Sequence, residues 1–336
     1  MGLFAVKKIL VTGSAGLLGA ALVDDLVKQG MVVGGLDRKR VRKSTGATVN
    51  YVCDILDRAR LTTCISEFAP DAIVHLAART DVDEKNLTGY AANIEGVSNL
   101  VEAIRATPSV TRCIWTSTQL VCRVGYVPTS SLDYQPDTFY GQSKVRTEEI
   151  VRASDGAGRE WCLVRPTTVW GPGVNLHYQR FLKLVKLGLY FHVDSGPLYK
   201  SYGYIGNITH QYIRLLHAPA EIIQGRTIYL ADYLPIDLVS WCNAFQRSLG
   251  ARAIPVMPRI LVRVLALTGD ALGQFGIRRV PFNSFRLKNM LTQYQFDMRE
   301  TEAICGPLPY TIEDGVRITA DWINSHSQGY RSGSIR

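Results

Sequence analysis

Two side chains four residues apart are of types that can form a base and the charge that tunes it. Tyr140 and Lys144 lie in the stretch "FYGQSK". Positions i and i+4 of a helix share one face, so both side chains can point to the same place. A free tyrosine, with a pKa of about 10, is a poor base at neutral pH, but a nearby ammonium group and a helix N-terminus favour the phenolate. We predict a tuned base for a hydroxyl proton; the alternative is a helix start with two solvated polar side chains.

A polar pair lies upstream of this stretch. Ser117 and Thr118 end the β-branched run "RCIWTST", which predicts a buried strand. The carboxyl end of a strand in a parallel sheet faces the ligand crevice. Thr118 lies 22 residues before Tyr140 (140 − 118) and is able to donate or relay a hydrogen bond to the same substrate oxygen. We therefore predict Thr118, Tyr140 and Lys144 as the catalytic group.

Three glycines near the N-terminus have the spacing of a nucleotide-binding turn. The stretch "TGSAGLLG" places Gly13, Gly16 and Gly19 in a G-x-x-G-x-x-G pattern between a predicted strand and a predicted helix. Glycine permits unusual backbone angles, lets a pyrophosphate approach backbone N–H groups, and allows close packing of helix on strand. A glycine triplet alone is weak evidence, but in this position it indicates a dinucleotide site.

The end of the second predicted strand bears on the choice of dinucleotide. Asp37 follows Gly19 by 18 residues (37 − 19). A carboxylate there accepts hydrogen bonds from the adenosine ribose and repels a 2′-phosphate, which favours NAD. Arg38, Lys39 and Arg40 follow at once and are of a type that holds such a phosphate. NADP therefore stays open as the alternative.

The elements that must position these residues alternate between strand and helix. Their alternation predicts an α/β fold, a doubly wound parallel sheet with helices on both faces. The predicted strands are 7–13, 31–37, 49–54, 72–78, 112–118 and 161–166, and the predicted helices are 17–30, 57–70, 93–107 and 143–154.

The pattern changes after Pro166, which sets the predicted domain boundary. We predict a dinucleotide-binding domain over 1–168 and a smaller, mainly substrate-binding domain over 169–336. The stretches "SYGYIGN" and "GRTIYLA" predict two further strands. Part of 200–235 is therefore expected to return to the main sheet.

An apolar segment over 256–275 carries Arg259, Arg263 and Asp270. One interpretation is an interfacial membrane helix whose arginines meet lipid phosphates. The other is a helix of the substrate-binding domain that packs on its core. The uninterrupted apolar stretches are short, so the sequence favours the packed helix.

Composition limits the function classes. The 336 residues carry a formal net charge of +9, with seven cysteines and six histidines. No two cysteines have C-x-x-C spacing, which argues against zinc or a disulfide framework and for a reducing compartment. No nucleic-acid motif accompanies the charge, so it suits a phosphorylated small molecule better. The sequence has neither the pattern of a signal peptide nor an apolar run long enough for a membrane span, so a cytoplasmic protein is expected.

Together these residues resemble the extended short-chain dehydrogenase/reductase family, in its NAD-dependent epimerase/dehydratase branch with the UDP-glucose/galactose 4-epimerase-like members. The resemblance covers nearly the whole chain. It rests on "TGSAGLLG", "CDI" (53–55), "HLAA" (75–78), "NIEG" (93–96), Thr118, "YGQSK" and "VRPTTVWGPG" (164–173).

The resemblance implies site residues, with NAD as the cofactor and no metal. In such enzymes the glycines cradle the pyrophosphate, residues at the positions of Asp54 and Ile55 border the adenine, and the lysine also bonds the nicotinamide ribose. Lys200 falls where related UDP-sugar enzymes carry an arginine on the substrate diphosphate, and Thr167 lies between nicotinamide and substrate. The implied cofactor residues are Gly13, Ala15, Gly16, Leu17, Leu18, Gly19, Asp37, Arg38, Asp54, Ile55, Leu76, Ala77, Ala78, Asn93, Ser117, Tyr140, Lys144 and Pro166. The implied substrate residues are Thr80, Thr118, Thr168, Asn175 and Lys200.

One departure from the family argues against a reaction that eliminates water. Sugar-nucleotide 4,6-dehydratases follow the threonine with Asp-Glu, the acid and base that eliminate water, whereas Gln119 and Leu120 follow Thr118. We therefore expect an NAD-dependent nucleotide-sugar epimerase, acting at C4 through a transient ketosugar and forming a homodimer. The alternatives are a ketosugar reductase or hydroxysteroid-type dehydrogenase and, last, a non-catalytic NAD(P)-sensing protein.

Overall fold

The computed structural model describes residues 6–40, 47–82, 84–173, 176–194, 196–274 and 283–326. The chain forms two compact units. The first unit comprises Met1–Val169, Gly203–Tyr233 and Asp297–Pro309, and the second comprises Trp170–Tyr202, Leu234–Phe296 and Tyr310–Arg336. The chain therefore leaves the first unit and returns to it twice.

The strands and helices are numbered in chain order. The strands are β1 (Lys8–Thr12), β2 (Val32–Asp37), β3 (Val49–Val52), β4 (Ala72–His75), β5 (Arg112–Thr116), β6 (Glu160–Pro166), β7 (Thr168–Trp170), β8 (His192–Val193), β9 (Tyr199–Lys200), β10 (Tyr202–Tyr204), β11 (Arg226–Leu230), β12 (Ile236–Asp237) and β13 (Val256–Met257). The helices are α1 (Leu17–Lys28), α2 (Arg58–Phe68), α3 (Ala91–Arg105), α4 (Phe139–Ala153), α5 (Asp155–Gly158), α6 (Leu176–Lys186), α7 (Ile205–His217), α8 (Ala220–Ile223), α9 (Leu238–Ser248), α10 (Arg259–Gln274), α11 (Ser284–Leu291), α12 (Arg299–Cys305) and α13 (Ile312–His326).

The first unit is built on one sheet. Among the described residues it has seven strands in the order β11-β6-β5-β4-β1-β2-β3, and every neighbouring pair is parallel. The strand order reverses between β1 and β4, and doubly wound sheets bind ligands beyond the carboxyl ends of the strands at such a reversal. The predicted fold class is confirmed.

Helices cover both faces of this sheet. Successive side chains of β1 point to opposite faces, so Ile9 and Val11 pack in one core and Leu10 packs in the other. The first core receives side chains from α1 and α7, and the second receives side chains from α2 and α3. Burial on both faces explains why the strands are almost continuously apolar.

The prediction of a strand at "SYGYIGN" is wrong for its second half. The strand β10 ends at Tyr204, and α7 begins at Ile205. The buried Asp232 carboxylate accepts hydrogen bonds from the Tyr204 amide and, at 2.8 Å, from Asn207 Nδ2. These bonds fix the start of α7, and burial raises the pKa of Asp232 to about 6. The acceptor lies 25 residues further along the chain, so local pattern did not reveal it.

The expectation of a core-packed helix over 256–275 holds for one face only. In α10 the side chains of Val262 and Ala266 are buried with Val193 and Leu287. Most of the other apolar side chains of α10 are exposed. Nevertheless, no helix of the described residues is long and apolar enough to cross a membrane.

Candidate active site

A cleft of about 410 Å³ opens at the carboxyl ends of the central strands of the first unit. Its size is within the range of small-molecule sites. It brings together the glycine turn, the ends of β2, β4 and β5, and the start of α4. Its lining residues are Gly13, Gly16, Leu17, Leu18, Gly19, Leu36, Asp37, Arg38, Cys53, Asp54, Ile55, Leu56, Leu76, Ala77, Ala78, Arg79, Thr80, Ala92, Thr116, Ser117, Thr118, Tyr140, Lys144, Pro166, Thr167 and Val169.

The glycine turn fits a pyrophosphate. Gly13 has a φ of +72°, and a Cβ atom there would lie 2.7 Å from the Ala77 amide nitrogen. A Cβ atom on Gly19 would lie 2.1 Å from the Gly13 carbonyl oxygen. Gly16 precedes α1 and has no side chain to cap the free N–H groups of the helix. These groups therefore stay available to an anion, as a dinucleotide requires.

Two carboxylates line the cleft where the sequence predicts the adenosine of the cofactor, those of Asp37 and Asp54. Asp37 ends β2, and its Oδ2 accepts a hydrogen bond of 3.1 Å from the Ala15 amide. Its Oδ1 accepts a bond of 2.9 Å from the Lys39 amide. Asp54 Oδ1 accepts a bond of 3.0 Å from the Leu56 amide. Ala15 therefore acts on the side chain of Asp37 and is not part of the cleft lining.

The catalytic group predicted from sequence is assembled in the cleft. Tyr140 and Lys144 lie in the first two turns of α4, and both are buried. Thr118 follows β5, and its side chain lies close enough to the Tyr140 hydroxyl to lower the pKa of the tyrosine. Lys144 Nζ donates a hydrogen bond of 2.6 Å to the Thr116 carbonyl oxygen. The lysine is thereby fixed beside the strand end from which Thr118 projects.

Burial dominates the ionisation of this group. It raises the pKa of Tyr140 to about 12, although the neighbouring Thr118 side chain acts in the opposite direction. Burial also lowers the pKa of Lys144 to about 8, although Glu148 favours the ammonium form. That the ammonium and the helix N-terminus favour the phenolate stays a prediction, and burial acts against both effects.

The buried Asn93 on α3 links two segments of the site. Its Oδ1 accepts a bond of 2.8 Å from the Arg79 amide, and its Nδ2 donates to Ser143 Oγ on α4 at 2.9 Å. Its carbonyl oxygen accepts a bond of 2.6 Å from Thr147 Oγ1. Asn93 does not line the cleft; it holds the segment after β4 against α4.

Comparison with known proteins gives this arrangement a family. A family model described as the NAD dependent epimerase/dehydratase family matches residues 9–230. The chain belongs to this family. The predicted resemblance, the assignment as an enzyme and NAD as the cofactor are thereby confirmed.

Relatives of this epimerase/dehydratase differ in their reactions. N-acetyl-alpha-D-glucosaminyl-diphospho-ditrans,octacis-undecaprenol 4-epimerase from Escherichia coli O157:H7 is 25% identical over 95% of this chain and 96% of its own. A 2-alkyl-3-oxoalkanoate reductase from Stenotrophomonas maltophilia is 25% identical over 92% of this chain and 93% of its own. A solved UDP-glucose 4-epimerase from Thermotoga maritima is 19% identical, with a TM-score of 0.72 over 95% of this chain and 99% of its own. The last similarity concerns the fold alone.

The remaining predicted residues of the epimerase/dehydratase are divided between the cleft and other places. Ser117 lines the cleft, and its buried Oγ has no hydrogen-bond partner among the residues that the structure describes, which leaves a polar atom for a ligand. Thr168 begins β7 and does not line the cleft. Lys200 is buried in the second unit, where its Nζ lies 5.7 Å from the centre of the Tyr294 ring. Asn175 lies outside the described residues.

Several lining residues of the epimerase/dehydratase were not predicted. Arg79 lines the cleft beside its ion pairs with Asp81 and Glu84. Its place directly after "HLAA" is the sequence signal that indicates it. The apolar lining residues have no such sequence signal, because core packing explains an apolar residue at those positions equally well. The unpredicted lining residues are Leu36, Cys53, Leu56, Arg79, Ala92, Thr116 and Val169.

Gly141 allows α4 to approach the segment after β5, and this gives a testable expectation. A Cβ atom on Gly141 would lie 2.2 Å from the Leu120 carbonyl oxygen. Gly141→Ala must therefore displace the first turn of α4 from Thr118. We expect the free energy of unfolding in urea to fall by about 1–3 kcal/mol. Gln142→Ala, half-buried in the same turn, is the control and is expected to change little; equal stabilities of the two variants would contradict the role of Gly141.

Proposed function

We propose that the protein is an NAD-dependent 4-epimerase of a sugar carried on a diphosphate. The observation that carries the proposal is the cluster of Thr118, Tyr140 and Lys144 in the same cleft as the glycine turn. The cleft thus combines groups able to hold a dinucleotide with groups able to move a hydroxyl proton. NAD, when bound, supplies the hydride acceptor and returns the hydride.

Each residue of the cluster has a separate task in the proposal. The Tyr140 oxygen takes the proton from the sugar hydroxyl and later returns it. Thr118, whose side chain lies beside the Tyr140 hydroxyl, is proposed to orient the tyrosine and the substrate oxygen. Lys144, whose ammonium is held by the Thr116 carbonyl, is proposed to supply the positive charge that stabilises the phenolate. Gly13, Gly16 and Gly19 hold the pyrophosphate against the backbone of the turn.

The environment of Thr118 favours epimerisation over elimination. Gln119 and Leu120 occupy the positions of the dehydratase acid and base, and neither lines the cleft. Gln119 is buried in a short 3₁₀ turn, where its carbonyl oxygen accepts a bond from the Cys122 amide. The described lining offers no second acid–base pair next to the threonine. Water therefore has no proton shuttle by which to leave.

Two kinds of substrate carry a sugar on a diphosphate, namely a polyprenyl-linked sugar and a nucleoside-diphosphate sugar. The relative from Escherichia coli acts on a polyprenyl-linked sugar, and the sequence favours a nucleoside-diphosphate sugar. Both present a glycosyl diphosphate, which suits the net charge of +9. Lys200 is proposed to contact the diphosphate in either case; burial lowers its pKa to about 8, so a nearby anion would favour its charged form.

The proposal is tested with purified protein and no added cofactor. UDP-glucose, UDP-N-acetylglucosamine and undecaprenyl-diphospho-N-acetylglucosamine are incubated separately, and the C4 configuration is read by NMR. We expect one of them to give a mixture of C4 epimers. Net consumption of NADH with a ketosugar, and no epimer from any of the three, would overturn the proposal.

The relative that reduces a 2-alkyl-3-oxoalkanoate supports a second candidate. In it the same tyrosine would donate a proton while a hydride from the cofactor reduces a ketone. Stoichiometric NADH oxidation with a 3-oxoalkanoate distinguishes this candidate from epimerisation, which oxidises no net NADH.

Asp37 is proposed to select NAD over NADP. Its carboxylate, fixed by two backbone amides, would repel a 2′-phosphate. Asp37→Ala is therefore expected to improve the affinity for NADP relative to NAD by about tenfold or more, with Arg38 adding to the gain. Fluorescence titration with NADH and NADPH measures both constants. Glu67→Ala, an exposed change on α2, is expected to leave the ratio unaltered; an unaltered ratio in Asp37→Ala as well would contradict the role.

Assembly and location stay predictions. We propose a homodimer whose contact lies on α3 and α4, as the family resemblance implies. Analytical ultracentrifugation of the purified chain tests the dimer. A cytoplasmic location is likewise tested by fractionation of cells.

A further inference from the structure

The helix α10 of the second unit is buried along one narrow row only. Val262, Ala266 and Gly269 are buried, and their spacing of four and three residues places them on one side of the helix. The row packs on Val193 and Leu287. Among the described residues, the core of the second unit therefore uses only this row of α10.

Large apolar side chains occupy much of that remaining surface. They are exposed by 46–75% and comprise Ile260, Leu261, Val264, Leu265, Leu267 and Leu272. Ile260, Val264 and Leu267 follow a spacing of four and three residues on the side opposite the buried row. Single exposed leucines are ordinary, but a contiguous apolar patch of this kind marks an interaction surface.

Basic side chains border the patch. Arg259 and Arg263 are exposed and lie one turn apart, between the buried row and the exposed apolar side chains. Asp270 lies on the same flank one to two turns later, but its Oδ1 accepts a hydrogen bond of 3.2 Å from the Ser284 amide. The charge on the N-terminal half of this flank is therefore positive.

A second apolar element lies close to the start of α10. Leu187 and Leu189 are exposed by 58% and 64%. They precede β8, which pairs in parallel with β13, and β13 ends two residues before α10. A Cβ atom on Gly188, between the two leucines, would lie 3.8 Å from the side chain of Arg252. An arginine thus lies next to the segment that bears these exposed leucines, as Arg259 and Arg263 do on α10.

We propose that this surface, the α10 face (Arg259–Leu272 with Leu187 and Leu189), docks on an anionic phospholipid bilayer. Apolar side chains would enter the interface while Arg259 and Arg263 meet the lipid phosphates at its rim. A helix of 16 residues is shorter than the hydrocarbon layer, so it would lie along the surface. The charge favours this occupant over a second copy of the chain, whose arginines would add like charge to the rim, whereas lipid phosphates neutralise it.

The test uses the full chain and sedimentation with vesicles. Wild-type protein is expected to bind vesicles of phosphatidylglycerol and phosphatidylcholine at least about tenfold more tightly than vesicles of phosphatidylcholine alone. Ile260→Gln/Val264→Gln/Leu267→Gln is expected to weaken binding to the mixed vesicles by about tenfold or more. Arg259→Gln/Arg263→Gln is expected to remove most of the preference for the anionic lipid.

Matched controls separate the α10 face from general surface effects. Leu132→Gln and Leu234→Gln change leucines exposed by 62% and 77% elsewhere, and Arg247→Gln/Arg317→Gln removes the same charge from α9 and α13. All are expected to bind as wild type, and thermal unfolding checks that each variant is folded. Equal binding of the triple variant and wild type, or no binding of wild type at low salt, would overturn the proposal. Dissociation of a lipid-free dimer by the triple variant, without vesicle binding by wild type, would assign the face to a second copy instead.

Discussion

Replacing Tyr140 by phenylalanine is expected to lower kcat by about three orders of magnitude. The change removes the hydroxyl group that exchanges the substrate proton, and general acid–base catalysis by one side chain contributes ~10²–10⁴-fold. The ring stays in its buried position beside Tyr90, with centroids 6.2 Å apart, so the fold should be preserved. Turnover of the accepted glycosyl diphosphate gives kcat, and NADH fluorescence gives the cofactor affinity, which is expected to change little.

A matched tyrosine provides the control for this variant. The Tyr126 hydroxyl donates a hydrogen bond of 2.7 Å to Asp133 Oδ2 and does not line the cleft. Tyr126→Phe is therefore expected to keep kcat within about twofold of wild type. Full turnover in Tyr140→Phe would rule out Tyr140 as the proposed base.

The pH profile tests the pairing of Tyr140 with Lys144. The working state has a phenolate and an ammonium, but the pKa of Tyr140 is raised to about 12 and that of Lys144 is lowered to about 8. A phenolate with an ammonium holds the same number of protons as a neutral tyrosine with a neutral lysine, so the two states interconvert without loss of a proton. The neutral pair predominates above pH 8, and the working state is populated together with it. We expect kcat/KM to rise up to about pH 8 and then to level off. Lys144→Met should remove this limb; a flat wild-type profile from pH 6 to 8 would contradict the pairing.

Residues that satisfy a local chemical requirement could be predicted from the sequence. The glycines of the turn, the acid after β2 and the Tyr140–Lys144 pair each belong to one short segment, so spacing alone indicated them. The parallel sheet followed from the alternation of strands and helices. These features depend on backbone geometry that neighbouring residues determine.

Partners far apart in the chain could not be predicted. Asn93 joins Arg79 to Ser143, which is 50 residues away, and no local pattern announces that bond. The sign of the pKa shift of Tyr140 depends on burial by several elements, which the sequence does not give. The sequence favoured a core-packed helix over an interfacial one at 256–275 for the same reason, because helical spacing indicates an apolar face but not whether anything covers it.

One such long-range pair, Glu148 with Arg165, leads to the largest expected effect on stability. Both side chains are fully buried, and Arg165 Nε and Nη2 each donate a hydrogen bond of 2.8 Å to the carboxylate. The Tyr134 hydroxyl also donates to Glu148, at 2.9 Å. Glu148→Gln would leave the guanidinium charge buried without its counter-charge. We expect the free energy of unfolding in urea to fall by about 3–5 kcal/mol.

The double variant decides whether the cost comes from the lost pair or from the charge left behind. Glu148→Met/Arg165→Met removes both charges, and we expect it to be more stable than Glu148→Gln, because an apolar replacement avoids desolvation of an unpaired ion. The exposed pair Arg226–Glu300 is the comparison, and Glu300→Gln is expected to cost less than about 1 kcal/mol. A loss of that small size in Glu148→Gln would contradict the argument. Glu148 lies four residues after Lys144 on α4 and favours the ammonium form of that lysine. Glu148→Gln should therefore also shift the acidic limb of the pH profile of kcat/KM to lower pH. A purely structural role of Glu148 would leave that limb where it is.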